Sequence, residues 1–259
     1  MTHKTSVFNR TAIFHFCWLP FTVRLFYSAA LIVLGLGYVF ALLQIQIVHA
    51  GQDGKPGLSI DDLIIAYKGS SDKTHLETKL YGSMAGMLPE AEREKIIGWI
   101  RDGASREAYE EIVAPITQQY CQGCHNGATP GLPDLMGYDK ISAHVQTNSG
   151  MSLATLIRVS HIHMFGILFL FFVMGIIFFH AYVKPLWLKA LILVTPFAAV
   201  ILDIFSWYLT KVHSGFAWVI VISGVFMALS FAAMWFISFY QMWFYKPSEE
   251  LIKNNGAAL

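Results

Sequence analysis

Apolar and charged positions are segregated into blocks along this chain. Four stretches, residues 25–50, 159–183, 190–209 and 214–245, carry no Lys, Arg, Asp or Glu except Asp203 in the third. Each reaches the roughly 20 residues that cross a bilayer core. The pattern predicts four transmembrane helices.

Between the first and second apolar blocks the pattern changes to short amphipathic runs. Ser59 precedes "Ile60-Asp61-Asp62-Leu63-Ile64-Ile65-Ala66-Tyr67" and predicts a capped helix, with residues 68–73 as a turn-rich link. A second helix is expected from Pro89, which suits a first helical position, to Gly103, which can end it. Glu90 and Glu92 favour its positive N-terminal end, Arg101 its last turn, and Ile96, Ile97 and Ile100 share one face. A third is expected after Ser105, with Tyr109, Ile112, Val113, Ile116 and Tyr120 on one stripe and a kink at Pro115. Residues 141–156 are expected to be a helix running toward the membrane. No strand pattern stands out. The fold class expected is all-α: a four-helix transmembrane bundle with a mainly helical domain inserted between the first and second spans. The segments are 1–24, 25–50, 51–155, 156–245 and 246–259.

Composition agrees, with 55% hydrophobic and 14% charged residues against about 45–50% and about 25% in soluble domains. The first block could be a secretory signal, since Val48-His49-Ala50 loosely fits a cleavage site. Its apolar run is longer than the roughly 7–15 residues of a signal core, so a retained helix is expected. Lys4, Arg10 and Arg24 before the first span, and Lys184 and Lys189 in the link between the second and third, place both regions in the cytoplasm. The inserted segment and its 14 acidic against 9 basic residues then lie outside, in the periplasm of a bacterial inner-membrane protein. That acidity argues against nucleic acid as a partner. Membrane lipid is the partner expected of the spans.

Of three cysteines, Cys17 is on the cytoplasmic side and reads as an inert thiol. Cys121 and Cys124 lie in "Cys121-Gln122-Gly123-Cys124-His125". Two residues between thiols suit a disulfide, a redox pair, half a zinc site or covalent haem. Zinc requires a second ligand pair, which is absent downstream on that side, and a thioredoxin-like pair wants a βαβ context. The adjacent His125 favours c-type haem, where both thiols bond the porphyrin and the histidine ligates iron. A structural disulfide is the alternative.

Here the chain resembles the class I cytochrome c domains. Beside the attachment motif, "Leu132-Pro133-Asp134-Leu135-Met136-Gly137" is similar to that family's Pro-x-Leu-x-Gly turn. The resemblance implies one covalent haem c on Cys121 and Cys124, iron ligation by His125, and a Pro133 carbonyl that accepts from the His125 ring. It covers roughly residues 80–140. The family's methionine loop and last helix normally follow the motif, but here a span begins at Val159. "Met84-Ala85-Gly86-Met87-Leu88-Pro89", with the helix after it, looks like those parts in permuted order, which makes Met84 or Met87 the candidate distal ligand. His75, His144, Met151, His161 or His163, and an open position are the alternatives, whereas Met136 follows Pro133 too closely to reach that position comfortably.

His161, His163 and His213 fall near the outer ends of their spans, within reach of one depth, and Asp203 lies inside the third. His161 and His163 point about 200° apart, so one of them could pair with His213 around a b-type haem. Asp203 would support one imidazole or accept a quinol proton. Structural roles are the alternative for all four. The function expected is single-electron transfer on the periplasmic face within a respiratory chain, with another respiratory membrane complex, a periplasmic redox protein or quinol as partner. A redox sensor, a haem-bearing subunit or a quinol-oxidising cytochrome are the competing expectations.

Overall fold

The computed structural model describes residues 14–253. Lys4 and Arg10, on which the orientation argument partly rests, lie outside the described residues, as do residues 254–259 of the tail. The fold is all-α, as expected: among the described residues there is no strand, only an isolated antiparallel bridge between Thr74 and Thr147. Four helices are long and apolar enough to cross a membrane: α1 (Phe21–His49), α8 (Leu153–Phe178), α9 (Leu186–Val212) and α10 (Ala217–Trp243). Lipid contact follows for side chains such as Phe26 and Val33 on α1, about 70% exposed apart from lipid.

The described chain groups into two compact units. A membrane unit holds residues up to 41, 157–206 and those from 218 on; an inter-span unit holds 42–156 and 207–217.

In the membrane unit α1 packs on α10. The Trp235 indole donates to the Leu31 carbonyl at 2.7 Å, and a side chain at Gly35 would come within 2.9 Å of that indole, so the glycine admits the close approach. Tyr38 stacks on Phe231 at 4.1 Å. The second span begins and ends some five residues earlier than its charge-free run. Lys189, one of the charges used to orient the link, is 2% exposed and donates to the carbonyls of Phe179 and Ala181 at 2.9 and 2.7 Å. It satisfies backbone groups just past the end of α8 that the helix itself leaves unpaired.

In the inter-span unit, α2 (Ile60–Tyr67) begins at a capping box between Ser59 and Asp62. A helix not anticipated, α3 (His75–Tyr81), begins at a second box between Thr74 and Glu77. The Thr-x-x-Glu signal was present in the sequence, but the run behind it is only two turns. In α4 (Glu90–Arg101) Pro89 is the N-cap, one place earlier than expected, because its ψ of 146° is extended. Gly103 ends that region at φ +94°, and Ala104 follows at φ +50°.

The next helical run departs from α geometry. It comprises α5 (Arg106–Ala108), a π-turn (Tyr109–Val113), α6 (Ala114–Ile116) and a second π-turn (Thr117–Cys121). Pro115 cannot donate to the chain and its ring crowds the carbonyl four residues back. The helix widens there, with Ala114 N–H donating to Tyr109 O, and continues through Pro115 in helical conformation instead of breaking. Closing turns five residues back moves later side chains round the axis. Tyr109, Val113, Ile116 and Thr117 are buried, whereas Ile112, assigned to the buried stripe from α periodicity, is 40% exposed.

Tyr109, Val113 and Ile116 share a core with Ile96, Ile97, Trp99 and Ile100 of α4 and with Leu135 and Ile141. Only Tyr138–Ser142 of the last stretch is helical, as α7; the helix expected over residues 141–156 is absent until Leu153. Gly69 and Gly150, both with positive φ, approach so closely that a Cβ on either would collide with the other segment's backbone. Lys211 closes that crossing by donating to the carbonyls of Tyr67, Ser149 and Met151 at 3.0, 3.2 and 2.8 Å. No helix can occupy a segment whose carbonyls and glycines are committed this way. The short α11 (Glu249–Lys253) completes the described chain.

Candidate functional site

Cys121 terminates the second π-turn, and the coil continues past it. Gln122 N–H donates to Thr117 O at 2.9 Å, Cys124 N–H to Cys121 O at 3.1 Å and His125 N–H to Cys121 O at 2.8 Å. One further turn therefore carries both thiols and the imidazole. Both cysteines are free, Cys121 half-buried and Cys124 exposed. Burial pushes the Cys121 thiol up from its usual range.

The loop after His125 folds back on it. His125 Nδ1 lies 2.8 Å from the Pro133 carbonyl, and Leu135 N–H donates to His125 O at 3.0 Å. Asp134 braces the return: its Oδ1 accepts from Met136 N–H at 2.9 Å and its Oδ2 from Lys140. The Lys140 bond first, and then the Met136 amide, hold the Asp134 carboxyl below its usual range. At Gly127, φ is +81° and a Cβ would stand 2.8 Å from Asp134 Oδ2, so only glycine fits without displacing the carboxylate. Asp134 and Gly127 were not singled out from sequence. The motif names the proline, while the groups that hold its carbonyl in place become visible only once the loop is closed.

Hydrogen-bond partners assign the histidine tautomers. A carbonyl facing Nδ1 requires the proton there and leaves the lone pair on Nε2, the arrangement of a metal-bound imidazole whose other nitrogen donates to a carbonyl. His125 has this arrangement, and among the described residues its Nε2 has no hydrogen-bond partner. His163, on α8, also has Nδ1 against a carbonyl, that of Val159 at 3.0 Å. His213 has the reverse: its Nδ1 accepts from Gly215 N–H at 3.1 Å, which puts the proton on Nε2. Ligation through His213 Nε2 would require giving up that contact.

The remaining candidates are placed as follows. Met84 is half-buried and Met87 is 66% exposed, both in the turn before α4; Met136 is half-buried against the core. His75, His144 and Met151 are half-buried, and desolvation lowers the His75 imidazole first, with His144 nearby adding to it. In the membrane unit His161 is exposed on α8 and touches Phe165, and Asp203 is buried in α9, 7% exposed. In the inter-span unit His213 is exposed. Among the described residues no three His, Cys, Asp or Glu side chains cluster as a metal site would need.

The donor set at Cys121, Cys124 and His125 suits a covalently attached haem: two free thiols at the end of a helix and an adjacent imidazole held in the ligating tautomer. Among known proteins, a family model described as a transmembrane helical domain matches residues 142–249, the part of the chain holding α8, α9 and α10. No curated protein and no solved structure is significantly similar. The chain is a multi-pass membrane protein.

Proposed function

We propose that this protein is a membrane-anchored c-type cytochrome of the bacterial inner membrane, carrying one haem c in a periplasmic domain and passing single electrons within a respiratory chain. The observation that carries the reading is the His125–Pro133 contact beside two free cysteines. A disulfide between Cys121 and Cys124 would have no use for an imidazole so oriented.

Bound haem would supply one-electron exchange at its iron. The chain's own part is attachment and orientation. Cys121 and Cys124 would hold the group covalently, while His125 would offer its Nε2 lone pair to the iron. The Pro133 carbonyl fixes the ring plane and, by accepting from Nδ1, raises the electron density that the imidazole offers. Met84 or Met87 would supply a second ligand, favouring the reduced state relative to a second imidazole. The acidic inter-span segment suits a partner with a basic surface.

The decisive experiment is haem staining of the chain on a denaturing gel after expression with a cytochrome c maturation system. The wild type is expected to stain, and the Cys121→Ala/Cys124→Ala variant is expected to lose all label. An unstained wild type, or a double variant that stains, overturns the reading.

A further inference from the structure

Resting on the haem reading above, we infer that Tyr109 is a positioning residue for His125, acting through the return turn at residues 133–137. Tyr109 opens the first π-turn and is 3% exposed, its ring packed at 6.0 Å from Trp99 and 5.8 Å from Tyr138. From there its hydroxyl accepts from Gly137 N–H at 3.2 Å. The turn is therefore held at both ends: Pro133 O meets His125 at one, and Tyr109 meets Gly137 at the other.

At the far end the Gly137 carbonyl accepts from Lys140 and Ile141 N–H at 3.2 Å each, and it is the Gly137 amide that Tyr109 ties to the helical run. Gly137 has φ +107°, no side chain, and open space where a Cβ would stand. The Leu135 side chain anchors the middle of the turn in the core, and the Leu135 amide makes the second bond to His125, to its carbonyl. Gly137 is exposed, so without the hydroxyl its amide would turn to water, and the turn would lose the bond that ties it to the Tyr109 side chain. That movement has only one short segment to pass through before it reaches Leu135 and Pro133. The Tyr109 hydroxyl thus sets how firmly Pro133 O is held against the imidazole.

The helix distortion explains why this residue does the work. The π-turn that accommodates Pro115 takes its closing bond on the Tyr109 carbonyl, so the same residue anchors the widened turn by its backbone and the histidine's loop by its side chain. Tyr109 thereby links the run that ends at Cys121 to the loop that returns to His125.

The test uses the full-length chain with Tyr109→Phe, which keeps the ring and removes only the oxygen, and with Ile96→Val as a control that loosens the same core without touching the turn. Amide hydrogen exchange is measured first, in chain made without haem. Tyr109→Phe is expected to speed exchange at both Gly137 and Leu135, by about tenfold as for loss of one hydrogen bond, while Ile96→Val leaves their ratio to the rest of the core unchanged. In haem-loaded protein, Tyr109→Phe should keep full haem stain yet shift the reduction potential and the histidine-to-iron vibrational band. Faster exchange at Gly137 alone, with Leu135 and the potential as in wild type, would overturn the inference: the hydroxyl would then merely close the turn. If wild type carries no haem, the cytochrome reading fails, and the exchange at Leu135 still decides whether Tyr109 holds the loop of His125.

Discussion

At the scale of single residues the inter-span unit shows how one carboxylate can serve a loop. Asp134 accepts from the Met136 amide and from Lys140, and both bonds favour its ionised form. Its pKa in the folded chain is depressed, so its contribution to stability is present above its unfolded value and is lost as pH falls through the folded one. That window lies below about pH 4, the ordinary aspartate range. Asp134→Asn should therefore lower the melting temperature at neutral pH and flatten its decline on acidification. Thermal melts from pH 7 down to the acid limb check this; a variant whose melting temperature tracks the wild type at every pH would show that the carboxylate is not what braces the loop. The same scale separates the histidines. His125 and His213 are chemically identical, yet a carbonyl faces Nδ1 in one and an amide in the other.

Secondary elements show where periodicity misleads. Ile112 and Ile116 lie four residues apart on one helical run, and an α-helix would place both on the apolar stripe. The π-turns leave Ile112 40% exposed and Ile116 5% exposed. Ile116→Ala should then cost about 2–5 kcal/mol, the range for a truncated buried isoleucine. Ile112→Ala should stay within about 0.5 kcal/mol, as surface changes usually do. Denaturant titration of the two variants measures the difference; equal losses would mean that the run is a regular α-helix. The capping boxes at Ser59 and Thr74 belong to this scale as well, since each sets a helix start by satisfying two backbone groups at once.

For the whole molecule, two compact units share one chain, and α1, α8, α9 and α10 each have residues in both. Within the inter-span unit, Lys211 at the end of α9 donates to three carbonyls of the crossing segments. The topology proposed with the function puts residues 51–155 in the periplasm. Alkaline phosphatase fused within that segment should be active, and fused in the link at residues 183–185 it should be inactive. The opposite pattern would place Cys121 and Cys124 in the cytoplasm, where c-type haem is not attached, and would remove the basis of the proposal. Extraction with acid acetone separately reports any non-covalent haem that His161, His163 or His213 could hold.

By itself the sequence determined the four spans, because about 20 uncharged residues have no better place than a bilayer, and it determined the helical starts at Ser59 and Ser105, because caps are local. It also displayed the Cys-x-x-Cys-His constellation, since covalent spacing needs no folding to be read. Tertiary structure decided what depends on closure. Lys189, counted from sequence as an orienting charge, proved to be a buried donor to carbonyls just past the end of α8. Residues 143–152 became a crossing held by Gly69, Gly150 and Lys211 and not a helix. The stripe that ends at Cys121 lost Ile112 and gained Thr117, because a proline within a packed helix is accommodated by widening turns that α periodicity does not contain. The partner of each imidazole likewise comes from another segment, or from a backbone group whose direction only the folded chain sets. Ligating tautomers are therefore a property of the fold, whereas ligating residue types are a property of the sequence.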